Sequence, residues 1–171
     1  KMPLNAMIRN LGKMSSIGLF DKGMKPEISL VVEILNDEAY IQKSRIHPIQ
    51  VLAAAKTYAT GRGFKGSNTW SVNQDIVKAL DNTLTLSYKN VKPTGKRFLA
   101  GLDVSGSMSC SVLGMENLSA YEASAAYIAV LNATEPNVIY TAFGSAMGVV
   151  AGRMQHTYTW TTPSKNNGIS R

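Results

Sequence analysis

The sequence is poor in the residues that staple, span or catalyse. Its single cysteine, Cys110, rules out an internal disulfide and fits a reducing compartment. No apolar run approaches the roughly 20 residues needed to cross a membrane, so no membrane partner is expected. The two histidines, His47 and His156, lie far apart in the chain. No paired acid and base, and no nucleophile beside a base, can be read from the residues, so an enzyme is the least expected class. Trp70 and Trp160 lack the paired aromatic pattern of a base-stacking platform, and packing roles are expected for both. The first residue is Lys1 and no signal-peptide pattern follows it, so the chain reads as a fragment or processed piece of a cytoplasmic protein.

Acidic residues are scarce in one half only. Residues 1–97 carry 15 Lys and Arg against 7 Asp and Glu, whereas residues 98–171 carry 3 against 4. A basic half joined to a near-neutral half suggests two modules, the first facing an anionic partner. A helix surface solvated by lysines would look the same. Arg9 and Lys13 stand one helical turn apart, and Arg45, His47, Lys56, Arg62 and Lys65 cluster in sequence. Arg45, Arg62 and Lys65 are the candidate phosphate contacts, since such contacts need basic groups and no fixed motif. His47 precedes Pro48 and reads as a helix cap or packing residue.

Residues 1–92 read as helices. Leu4, Met7, Ile8, Leu11 and Met14 share one helix face, the methionines acting as core filler. KPEISLVVEILNDEAYI follows as a second helix with Pro26 in its first turn. HPIQVLAAAKTYATGRG starts at Pro48 and ends at Gly61 or Gly63. SVNQDIVKALDNTL is expected to open with a capping box of Ser71 and Gln74. Four helices with short turns indicate a bundle or a helical-repeat array.

At Pro93 and Gly95 the pattern changes, and residues 93–171 read as α/β. Lys96–Val104 is almost continuously apolar, as a central parallel strand would be. NLSAYEASAAYIAVLNAT is a helix with a capping box of Ser119 and Glu122. NVIYTAF is a second strand, MGVVAG a candidate third, and TYTWTTPSKNNGISR a loop or tail. A doubly wound domain needs five or six strands. One sheet edge and part of one face are therefore expected to lie open, and either further chain beyond Arg171 or a partner is expected to complete them.

The first strand delivers Asp103 to its carboxyl end, where open α/β sheets place their ligand sites. Ser105 and Ser107 alternate with it, and Gly106 is expected to let the turn fold tightly. One carboxylate and two hydroxyls suit Mg²⁺ or Mn²⁺ better than Zn²⁺. The same residues could instead cap the backbone as Asx and ST turns. A serine nucleophile would want G-x-S-x-G, which D-V-S-G-S is not. PTGKRF lacks the upstream glycine of a phosphate loop and precedes its strand. Cys110, three residues past the turn, reads as passive.

LDVSGSM resembles the D-x-S-x-S motif of the metal-ion-dependent adhesion site (MIDAS) in von Willebrand factor A domains. In the same order along the chain, MPLNAMIRNLGKM, RIHPIQVLAAAKTYATGRGFKG and PTGKRFLAGLDVSGSM resemble the Ro ribonucleoprotein autoantigen family, with TAFGSAM the last recognisable piece. That resemblance implies a HEAT-like helical-repeat (TROVE) segment over 1–92, followed by the start of a Rossmann-like A domain over 93–171. It implies a metal at Asp103, Ser105 and Ser107, with a threonine and a further aspartate that this chain does not supply. It also implies binding of small non-coding Y-type RNA or the ends of misfolded RNA. A metal-dependent protein–protein adhesion module without an RNA role is the alternative.

Overall fold

The computed structural model describes residues 2–21, 24–63, 67–113, 115–144 and 147–150. The chain divides into two compact units. One is Lys1–Val91 with the short Met115–Asn117, and the other runs from Lys92 onward without it.

The first unit is helical. Its elements are α1 (Leu4–Ser16), α2 (Lys25–Asn36), α3 (Glu38–Ser44), α4 (Pro48–Ala59), α5 (Gln74–Ser87) and a closing 3₁₀ turn, Tyr88–Asn90. The single helix expected over KPEISLVVEILNDEAYI is two. The break falls at Asp37, whose extended backbone and side-chain oxygen, accepting from the Tyr40 amide at 3.0 Å, cap α3 afresh. Pro26 lies in the first turn of α2, as expected.

Helix α5 packs on α2, α3 and α4, and its apolar side supplies Ile76, Ala79, Leu80 and Leu84 to a core shared with Leu4, Leu11, Leu35, Ile41, Val51 and Tyr58. Burying a side chain of that size stabilises by about 1.5–3 kcal/mol. Polar groups reach this interior with partners, Thr83, Ser87 and Ser15 among them. Buried Thr83 donates from Oγ1 to the carbonyls of Leu35 (2.6 Å) and Ala79 (2.8 Å), tying α5 to the end of α2. The expected cap of Ser71 and Gln74 is displaced. Asn73 caps α5 instead, its Oδ1 accepting from the amides of Asp75 (2.9 Å) and Ile76 (3.3 Å). Asn73 is held there because its own amide donates to the Tyr58 hydroxyl at 3.2 Å.

The second unit begins as a βαβ motif. Strand β1 (Arg97–Asp103) pairs in parallel with a later strand, Asn137–Gly144, over seven residues from Arg97↔Asn137 to Asp103↔Phe143. The connection includes a 3₁₀ turn (Gly106–Ser109), a hairpin of β2 (Ser111–Val112) and β3 (Met115–Ser119), and α6 (Ala120–Thr134). The later strand is thus β4, and β5 (Met147–Val150) pairs with it antiparallel. The sheet is mixed and has the order β1-β4-β5. Among the described residues β1 therefore lies at the edge of the sheet, where a central strand was expected.

The capping box of α6 is present as expected. Ser119 Oγ accepts from the Glu122 amide at 3.1 Å, and Glu122 accepts from the Ser119 amide at 3.0 Å. One face of the sheet is covered by α6, with Leu102, Ala125 and Ile128 buried together. On the other face Leu99 (76% exposed) and Ile139 (70%) stand side by side in the register. A continuous apolar run cannot show which of its faces is covered, so this asymmetry is visible only in the fold. The expected loop over TYTWTTPSKNNGISR, including His156 and Trp160, lies outside the described residues.

Candidate metal turn and basic surface

The carboxyl ends of β1 and β4 meet at one edge of the sheet, because the two strands are parallel. The Val104 amide extends the ladder by donating to the Phe143 carbonyl at 2.8 Å. Beyond it the chain leaves the sheet in the 3₁₀ turn, with Met108 N donating to Ser105 O at 3.1 Å and Cys110 N to Ser107 O at 3.2 Å.

This geometry gathers the three residues read from the sequence. Asp103 Oδ1 accepts from the Ser105 amide at 2.9 Å, and the hydroxyls of Ser105 and Ser107 stand 2.9 Å apart. The Ser105 amide, and after it the Ser105 hydroxyl, hold the Asp103 carboxyl below the usual aspartate range. The carboxylate is therefore ionised at neutral pH. The Asx turn of the alternative reading is present too, so the backbone arrangement and a ligand arrangement coexist.

The donor set fits a hard divalent cation. Neighbouring oxygens around Mg²⁺ at about 2.1 Å are about 3.0 Å apart; the two hydroxyls, 2.9 Å apart, are hydrogen-bonded to each other here. Three protein oxygens leave the rest of an octahedral shell to other donors. Among the described residues no cluster of three or more His, Cys, Asp and Glu is available to supply them. Gly106 differs from expectation. Its backbone lies outside the left-handed region, and a Cβ there would meet nothing within 4 Å. Glycine is thus not required for the turn to fold, though it leaves open space above it. Cys110 is exposed and unbridged.

The basic candidates do not converge. Arg45 follows α3 and Arg62 follows α4, so the whole of α4 separates them. Twelve residues at roughly 1.5 Å each put about 18 Å between its ends. Arg45 and Arg62 are both exposed, and Lys65 lies outside the described residues. Arg62 belongs to a small hairpin, in which it bridges Thr69 while Trp70 N donates to Gly61 O at 2.9 Å. His47 caps α4, its Nδ1 accepting from the Ile49 amide at 3.3 Å. Trp70 is a packing residue, stacked on Tyr58 at 6.2 Å.

Two family models match the chain in succession, the TROVE domain over residues 1–57 and the Ro60 vWA domain over residues 97–163. Both stretches of the chain thus match models of the Ro family in the family's order. It is 47% identical over 111 residues to the RNA-binding protein RO60 of Caenorhabditis elegans, an alignment covering 65% of this chain and 17% of that protein. Against the RNA-binding protein RO60 of Deinococcus radiodurans it is 37% identical over 141 residues, which is 82% of this chain and 27% of that protein. The crystal structure of the Deinococcus radiodurans RO (RSR) protein superposes with a TM-score of 0.78 at 36% identity, covering 83% of this chain and 29% of that one. The chain therefore spans less than a third of the length of these Ro relatives. The helical unit followed by the opening of an A domain is the expected fold.

Proposed function

We propose that this chain is an RNA-binding component of a Ro-type ribonucleoprotein, with no catalytic role of its own. Two relatives that align with it are RNA-binding proteins. The observation that carries the reading is the excess of basic charge in the helical unit, 12 Lys and Arg against 7 acids over residues 1–91, where residues 92–171 carry 6 against 4. Such a surface attracts a polyanion by releasing its counterions, whatever the base sequence. The partner is a small non-coding or misfolded RNA, met in a reducing, cytoplasmic setting. Arg45 and Arg62 contact its phosphates at separate points.

A second reading concerns the metal turn, and the close approach of Ser105 and Ser107 favours it. Asp103, Ser105 and Ser107 would hold Mg²⁺ or Mn²⁺, and the ion would supply a Lewis-acidic site for a carboxylate of a protein partner. Asp103 brings the charge, the two hydroxyls fix the approach, and the space above Gly106 admits the incoming group.

Titrating a fluorescent RNA hairpin with a single-stranded 3′ end into the protein, with and without a chelator, tests both readings. The RNA reading predicts affinity that falls steeply with salt and ignores the chelator. No RNA affinity even at low salt, together with chelator-sensitive binding of an acidic peptide titrated in parallel, would replace it with the adhesion reading.

A further inference from the structure

Arg45 is the only described non-glycine residue with a positive φ, at φ 53° and ψ 29°. An L-residue pays for this left-handed conformation through its Cβ, and helices that end this way usually place glycine there. Such strain persists only where the surroundings over-determine the backbone, and here they do. Ile41 before the turn and Ile46 after it are both fully buried. The Ser44 hydroxyl donates to Ile41 O at 2.6 Å and accepts from the Ile46 amide at 3.2 Å. Asn90, from the 3₁₀ turn after α5, reaches across from 44 residues away. Its Nδ2 donates to Ile46 O at 2.9 Å and Ile41 O at 3.2 Å. Both partners are acceptors, so it must be the NH₂ side of the amide that faces them, and its two protons are both spent on this turn.

The clamp holds an arginine where glycine would be cheaper, and the side chain is exposed. No acid among the described residues is paired with its guanidinium. The acid on the adjoining helix, Glu38, is already engaged by Lys89 at 2.7 Å and by Gln42 at 2.9 Å. The geometry points to Arg45 as a phosphate contact of the helical unit that is kept at a cost in stability, with Asn90 as the positioning residue that fixes it. This inference rests on the RNA reading above.

The distinguishing property is that function and stability pull in opposite directions at one position. Arg45→Gly relieves the Cβ clash, and that relief exceeds the extra freedom glycine gives the unfolded chain. It is expected to raise the thermal midpoint by about 2–5 °C. The same substitution is expected to weaken binding of a fluorescent RNA hairpin with a single-stranded 3′ end roughly tenfold and to lower the salt slope by about one. Asn90→Asp places a carboxylate against two carbonyls. It is expected to lower both midpoint and affinity, but to leave affinity unchanged when Arg45→Gly is already present. Arg45→Lys is expected to keep the raised cost of the turn and most of the salt slope.

A fall in the thermal midpoint of Arg45→Gly would overturn the inference, because Arg45 would then be structural. A raised midpoint with unaltered RNA affinity would also overturn it, while leaving RNA binding by the chain intact. If the unsubstituted protein binds no RNA at any salt concentration, the RNA reading itself fails.

Discussion

The indole of Trp70 lies directly on Gly12, with three of its ring atoms only 2.7–2.9 Å from where a Cβ on that glycine would stand. The contact closes the end of the unit at which α1, α4 and the cap of α5 come together. Trp70 Nε1 donates to Tyr58 O at 3.0 Å, and the Tyr58 hydroxyl is 2.9 Å from that of Ser15 in α1. Gly12→Ala must therefore push the ring out of place. Overpacking of this kind costs about 1–3 kcal/mol. Denaturant unfolding followed by tryptophan emission checks it, and an unchanged midpoint would mean that the indole can move aside freely.

Acid should loosen the second unit through Glu135, just past the end of α6. Its carboxylate accepts from the amides of Thr94 at 2.7 Å and Gly95 at 3.1 Å, latching the chain as it enters β1. Those hydrogen bonds, the Thr94 amide foremost, lower its pKa below the usual glutamate value. A lowered acid contributes stability that is complete above the unfolded value and is lost as pH falls through the folded one. The acid limb of the stability profile should therefore flatten in Glu135→Gln. The measurement is unfolding free energy against pH for both proteins, and parallel acid limbs would show that the latch does not titrate.

Much of this was legible because it is local. Ser119 and Glu122 form a capping box within one turn of helix, so four residues suffice to read it. Asp103, Ser105 and Ser107 lie within five residues on one turn, and the fold only had to bring their oxygens together. The break at Asp37 was harder, since no proline or glycine interrupts the helical period there. The hairpin of β2 and β3 was hidden because Ser111–Val112 is too short to show alternation. The role of Gly12 could not be read at all, because its neighbour Trp70 is 58 residues away in the chain. Arg45 and Arg62 look clustered in the sequence, and only the fold shows that they flank opposite ends of α4.

At the metal turn, one charged ligand and two neutral hydroxyls compensate poorly for stripping water from Mg²⁺. This chain is expected to bind Mg²⁺ or Mn²⁺ weakly and Asp103→Ala not at all. The substitution should leave the fold standing, because the turn is held mainly by backbone hydrogen bonds. Isothermal titration checks this alongside circular dichroism. Tight binding by this chain, or equal binding by the variant, would place the metal elsewhere.

The most direct test is the salt dependence of RNA affinity for the unsubstituted protein, Arg45→Glu, Arg62→Glu and the double variant. The two arginines flank opposite ends of α4, itself about 18 Å long, so they should act independently. Phosphate contacts predict a log–log slope that shallows by about one for each substitution, with the double variant losing the sum. Slopes and affinities identical across all four proteins would show that the basic half of this chain is merely solvated, and would contradict the account.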